Sequence, residues 1–330
     1  YVEDENVSEI MVNGIDHIFI ERSGTLLETD VHFDSLEQLE ELIRRIAAKV
    51  HREINELNPI VDARLADGSR VNAVYKNIAL NGPILTIRKF PKNAIDMESL
   101  IMRGSITRDA AEFLETLVKA GYNCFISGGT SSGKTTFLNV LSNYIPSEER
   151  VIVIEDSAEL QIRQISNLVR MECKQANAQK KGQISMEQLI KTSLRMRPDR
   201  IIVGEVRGKE VIDMIQAMNT GHDGSLSTGH GNSIKGMLRR LESMFLQAAD
   251  YPIEAIRAQI AEGIDVIIHL GRLADGSRKV LEIAEISGVE NGEITTNLLY
   301  KYRTSRGLMA TGNSLINTEK LELRGMIDGN

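Results

Sequence analysis

The chain has 330 residues, 42% hydrophobic and 26% charged, with a net charge of −7 and a pI near 5.6. Those proportions suit a globular protein of roughly two domains and exclude disordered, collagen-like and coiled-coil chains. No apolar run approaches the ~18–20 residues that span a bilayer, two cysteines cannot build a disulfide framework or a four-cysteine zinc site, and an acidic balance with 4% aromatics and no Trp disfavours a role in tracking nucleic acid.

In chain order, residues 9–12 and 17–21 read as strands around Asn13-Gly14, the strongest short hairpin signal. Apolar residues at helical spacing from Leu36 to Val50 predict a helix over 35–52, opened by a Ser35/Gln38 capping box. Strands follow at 61–65, 71–75 and 84–90, with a turn at Asp67-Gly68. This first part, 1–95, is expected to be a small α+β domain. Pro91–Arg108 reads as a linker followed by a short helical start, with 96–108 taken as the linker between the two domains.

From Ala110 the pattern alternates. Strands are predicted at 123–127, 151–154, 200–203, 225–228, 264–270, 279–287 and 293–300. Helices are predicted at 134–145, 186–197, 209–219, 233–248 and 253–262. Alternation of this kind predicts a mainly parallel sheet with helices on both faces over 109–303. Residues 304–330 have weak periodicity and several glycines, which predicts a loosely ordered tail. Ala-Asp-Gly-Ser-Arg occurs twice, at 66–70 and 274–278, and reads as shared turn chemistry.

The chemistry starts at Gly128-Gly129-Thr130-Ser131-Ser132-Gly133-Lys134-Thr135-Thr136, which matches G-x-x-x-x-G-K-[ST] between a predicted strand and a predicted helix. Its glycines let successive N–H groups face phosphate oxygens, and the helix N-terminus adds positive dipole. Lys134 is expected on the β- and γ-phosphates of ATP, and Thr135 on Mg²⁺. Hydrolysis also needs a group to orient water. Glu205, after the apolar run 201–203, is the candidate, with Mg²⁺ contact through water as a second role. The usual Asp of such a segment is replaced by Gly204. Glu155, Asp156 and Glu159 form a second acidic cluster after the strand at 151–154 and are expected near the nucleotide. His222 and His230 bracket a glycine-rich stretch, and eight residues between them is not helical metal spacing. A γ-phosphate sensor or a contact to the attacking water fits them better. His17, His32, His51 and His269 have no partner motif.

Four segments now stand in order: GGTSSGKTT at 128–136, IEDSAEL at 154–160, RPDRIIVGEVRGKE at 197–210 and TGHDGSLSTGHGNS at 220–233. This order resembles the type II/IV secretion ATPase superfamily, with its Walker A, Asp box, Gly-Glu Walker B and His box, and most resembles its CpaF/TadA (Tad pilus) branch. The resemblance implies a RecA-like P-loop domain preceded by a smaller α+β domain. It also implies a cytoplasmic ring hexamer that hydrolyses ATP with Mg²⁺ and drives an inner-membrane platform protein, held at the membrane through that partner.

By the same resemblance Glu205 is the catalytic glutamate, Glu159 the Asp-box glutamate and His230 the His-box histidine, with His222 beside it. Arg70 and Arg88, and more weakly Arg64, match strands whose arginines reach the phosphates, some from a neighbouring subunit. Two departures stand out. The four-cysteine module of type II secretion ATPases is missing, and glycines replace the expected apolar residue at 229 and alanine at 231, which is expected to loosen that loop. Alternatives are a conjugation-type ATPase, a RecA-like nucleic-acid translocase and a nucleotide-gated scaffold without turnover.

Overall fold

A computed structural model of the protein describes residues 1–22, 24–90, 95–174 and 182–327. The chain divides into two compact units, Tyr1–Ala94 and Ile95–Asn330.

The first unit carries β1 (Val7–Asn13), β2 (His17–Arg22), β3 (Thr25–Glu28), α1 (Leu36–Lys49), β4 (Ile60–Arg64), β5 (Arg70–Val74) and β6 (Ile84–Arg88). Its six strands form one antiparallel sheet in the order β3-β2-β1-β6-β5-β4. Inward residues alternate along β2, β5 and β6, as in Val71 and Ala73 or Leu85 and Ile87, and meet Leu39, Ile43 and Ala47 of α1 in one core. Ser35 caps α1 by accepting from the Gln38 amide at 3.3 Å, while the Gln38 side chain accepts from the Asp34 amide rather than from that of Ser35. The short edge strand β3 escapes the sequence reading because none of its four residues is buried, so no alternation marks it.

The second unit holds α2 (Met97–Met102), α3 (Arg108–Ala120), β7 (Cys124–Gly128), α4 (Lys134–Ser142), β8 (Val151–Glu155), β9 (Leu168–Glu172), α5 (Met186–Ser193), β10 (Arg200–Val206), α6 (Val211–Asn219), β11 (Leu226–His230), α7 (Ile234–Ala248), α8 (Ile253–Gly263), β12 (Val266–Arg272), β13 (Arg278–Glu290), β14 (Glu293–Arg303), β15 (Gly307–Ala310) and α9 (Glu319–Leu323). The nine strands run in the order β15-β14-β13-β12-β7-β11-β10-β8-β9, parallel from β12 to β9 and antiparallel from β13 outward. β7 and β8 are buried along their whole length, as central parallel strands must be.

Successive residues of these strands face opposite layers. Cys124, Ile126, Val151 and Val153 pack with α3 and α4. Phe125, Ile152, Ile154 and Ile267 pack with α5, α6, α7 and α8.

Two expectations are corrected. The segment 96–108 is not a free linker: Asp96 caps α2 through the Ser99 amide at 2.8 Å, and Met97, Leu100 and Ile106 join the core of the second unit. Residues 91–94 of the same stretch lie outside the described residues.

Nor is 304–330 a loose tail over its described part, 304–327. β15 extends the sheet, and Leu308 and Leu321 are buried. Glu285 accepts from the amides of Ile316 and Asn317 at 2.8 and 2.6 Å, and Lys320 Nζ reaches Asp265 and Asp223 at 2.7 and 2.8 Å. These anchors are scattered polar contacts, which leave no periodic trace in sequence.

Candidate active site

The phosphate-loop sequence lies where the C-terminal end of β7 turns into α4. Ser131 (φ +58°) and Gly133 (φ +95°) take left-handed backbone, which turns neighbouring amides toward one concavity. Gly128 has no room for a side chain: a Cβ there would stand 2.4 Å from Ser132 Oγ and 2.8 Å from the Leu270 carbonyl. Lys134 is buried and donates from Nζ to the Gly129 carbonyl at 3.0 Å. Burial pushes its ammonium pKa down, with Glu205 opposing that shift and Arg207 adding to it. Ser132 Oγ is buried with no hydrogen-bond partner among the described residues. A tight loop with left-handed backbone at Ser131 and Gly133, an orphaned hydroxyl and a desolvated lysine fit a polyphosphate. Thr130, Thr135 and Thr136 belong to the same loop and the first turn of α4.

The neighbouring strands bring the next groups. β11 lies against β7 with His230 opposite Gly128, so His230 stands at the loop's edge. β10 follows, and its register against β11 slips between Val203 and Val206. That extra residue, in a local irregularity of the kind that re-aims side chains near sites, holds Glu205. Nδ1–H of His230 donates to Glu205 Oε1. Arg207 donates to Glu205 Oε2 from Nε at 2.9 Å and Nη2 at 2.7 Å, and its Nη1 reaches Asp156 at 3.3 Å. Burial pushes the Glu205 carboxyl up, but Arg207 and His230 outweigh it and hold the pKa below the ordinary carboxylate value. Glu205, Arg207, Asp156 and Glu210 also line a cavity of about 230 Å³.

Glu155, the last residue of β8, turns inward. It is buried, and its Oε1 accepts from the amides of Glu159 and Leu160 at 2.7 and 2.9 Å, so it shapes the Asp-box turn from inside. It also explains Gly204, where a Cβ would stand 3.2 Å from Glu155 Cγ. Glu159 follows on that turn, half-buried.

His222 is not beside His230. It precedes β11, whose first residue pairs with Cys124 at the start of β7, so it lies at the N-terminal edge of the sheet. There its Nδ1 donates to the Ala217 carbonyl at 3.1 Å and closes the end of α6. The chain between the two histidines is the strand itself, which separates them by its own length.

The His230 loop is not loosened by its glycines either. A Cβ on Gly229 would stand 2.9 Å from Phe125 and Met237, and one on Gly231 would stand 2.9 Å from Ser127 Oγ. Both positions are glycine because α7 and β7 press against them.

Sequence reading missed two residues. Arg207 carries its signal in sequence, two places after Glu205. His269 does not: it lies opposite Ser127 on β12, with Nδ1 3.2 Å from Ser127 Oγ, and the backbone of Asn232 also bonds it. Burial pushes its imidazole pKa down, against Glu282 and that backbone bond.

In the first unit, Arg64 pairs with Arg70, Arg70 with Arg88 and Arg88 with Glu9 across β4, β5, β6 and β1. The three arginines thus form one cross-sheet row.

Comparison with known proteins agrees with this architecture. The family model described as "Type II/IV secretion system protein" matches residues 1–310. An uncharacterised Methanocaldococcus jannaschii protein is 44% identical over 68% of this chain, a match that spans 32% of that protein. The conjugal transfer protein TrbB of Rhizobium radiobacter is 31% identical over 89% of this chain and 88% of its own length. The Legionella pneumophila ATPase DotB shares the fold, with a TM-score of 0.61 and 23% identity over 85% of this chain and 77% of that one. With a family model matched along residues 1–310, the chain belongs to the type II/IV secretion ATPase family.

Proposed function

We propose that the protein hydrolyses ATP at this site and uses the cycle to drive a secretion or pilus-assembly machine. The observation that carries the reading is the Glu205–His230 pair at the edge of a phosphate loop. Lys134 and the loop amides hold the phosphates. Thr135 and, through water, Glu205 would hold Mg²⁺, which supplies charge neutralisation on the phosphoryl oxygens. Glu205 orients and deprotonates the attacking water, and His230 fixes the carboxylate. Asp156 and Glu159 frame the Asp-box side.

The chain works as a ring hexamer in the cytoplasm against an inner-membrane platform protein. Arg70 or Arg88 completes a site, some from a neighbouring subunit, where a guanidinium on the transferring group is worth about 10³–10⁵ in rate. A conjugation-type secretion role fits no worse than a Tad-type pilus role, and the likeness to TrbB supports it.

The test is steady-state ATPase activity against protein concentration, with Glu205→Gln as control. Specific activity that rises with concentration and a dead variant support a ring-completed site. Flat activity removes the contribution in trans. ATP binding with no turnover above the variant makes the chain a nucleotide-gated scaffold.

A further inference from the structure

The repeated turn is longer than its five-residue core. Arg-Leu-Ala-Asp-Gly-Ser-Arg occurs at 64–70 and again at 272–278. Both copies fold alike. Asp67 and Asp275 each accept from the amide two residues on, at 3.0 and 2.9 Å. Leu65 and Leu273 each donate to the following serine carbonyl at 2.8 Å, and Gly68 and Gly276 take φ +90° and +83°. Each hairpin therefore sets its two arginines directly opposite one another, Arg64 with Arg70 and Arg272 with Arg278. Like charges in that relation are destabilising.

In the second copy the two arginines part. Arg272 folds back over its own turn, with Nη2 3.5 Å from where a Cβ of Gly276 would stand. Arg278 goes the other way, and its Cδ lies 3.5 Å from where a Cβ of Gly133 would stand, at the N-cap of α4. The N-terminus of α4 there carries the positive end of the helix dipole. The Arg278 side chain is exposed and makes no ion pair or side-chain hydrogen bond among the described residues. A cation set at the N-terminus of α4, beside the phosphate loop and with no anion from the described residues, suits an anion that arrives there. The sheet order gives the direction: Glu205 and His230 approach β7 from the β11–β10 side, Arg278 from the β12–β13 side.

We propose that Arg278 is a nucleotide-binding residue that acts within its own subunit and grips the phosphates that ATP and ADP share, from the flank opposite the Glu205–His230 pair. This rests on the reading of the loop as an ATP site.

The experiment titrates ADP and a non-hydrolysable ATP analogue into the full chain and into Arg278→Gln, Arg278→Lys, Arg272→Gln and Lys134→Ala. Arg278→Gln should weaken both ligands by the same factor, about tenfold for one lost charge-assisted contact. KM should rise in step, Arg278→Lys should recover part of the loss, and Arg272→Gln should bind as wild type. Unchanged ADP affinity in Arg278→Gln overturns the proposal, as does a loss confined to the triphosphate analogue. If instead Lys134→Ala binds ADP as well as wild type, the loop itself is not the nucleotide site and the underlying reading fails.

Discussion

His230 donates from Nδ1 to the carboxylate of Glu205, across two neighbouring parallel strands and 25 residues of sequence. Arg207 takes the other carboxylate oxygen. Both oxygens are thus oriented by cationic or polar donors at the mouth of the phosphate loop. An attacking water would have to share one of them. The carboxylate is held ionised, in the state a base needs, and in a fixed plane.

Replacing that carboxylate by an amide keeps the shape and removes the base. Glu205→Gln is expected to lower kcat by about 10²–10⁴. Nucleotide affinity should stay within about threefold, because the loop and Lys134 are untouched. Turnover assays paired with equilibrium binding check both halves, and equal losses in the two would contradict a base role.

The packing at Gly229 makes a second prediction. Its missing Cβ leaves room for Phe125 and Met237 at 2.9 Å. Gly229→Ala should destabilise the fold by about 1–3 kcal/mol, the usual cost of overpacking, and lower turnover by displacing His230. Thermal unfolding and activity, measured on the same preparation, should both fall.

A pH effect follows from His269. Its folded pKa lies below the ordinary value of 6.5 because burial disfavours the imidazolium. The unfolded chain therefore binds this proton first as pH falls. Stability from this site is complete above about 6.5 and is lost as pH drops toward the folded value. Glu282, opposite on β13, works against the shift and limits it. The midpoint of denaturant unfolding, followed downward from pH 7, should fall less steeply in His269→Gln than in wild type. Parallel slopes would remove His269 from the account.

At the other edge of the sheet, Lys320 holds Asp265 and Asp223, and the Asp265 side chain is only 11% exposed. Burial raises the Asp265 pKa, and Lys320 opposes that shift. Lys320→Met should cost about 1.5–3 kcal/mol, the range for a hydrogen bond to a charged group. Asp265→Asn combined with Lys320→Met should recover part of that loss, since the orphaned charge is then gone. Chemical denaturation of the three variants measures this.

Much of the site was legible because its parts are local. A phosphate loop is nine contiguous residues, and Glu205 announces itself at the end of an apolar run. Residues whose role depends on which strands become neighbours were harder. His222 and His230 look like a pair in sequence, yet a strand's length separates them. Gly229 and Gly231 read as slack and are instead pressed by Met237 and Phe125 or Ser127. The segment from 304 has little periodicity because its hold is one short strand, two separated leucines and a few polar contacts, chiefly to Glu285 and Lys320. The stretch from Pro91 to Arg108 showed a short helical start but not the burial of Met97, Leu100 and Ile106 that ties it to the second unit.

The strand order also sets a timetable for synthesis. β7, which delivers the phosphate loop, has β11 and β12 as its lateral partners. Those strands begin at Leu226 and Val266, long after the loop at 128–136 has left the ribosome. Until they arrive, the loop's strand has no edge to pair with, and long-range pairings of this kind form late. A nascent chain released before β12 would expose an unpaired apolar strand, the kind of species that aggregates or recruits chaperones. The phosphate-loop strand thus gains both of its lateral partners only after β12 has been made, more than a hundred residues after the loop itself.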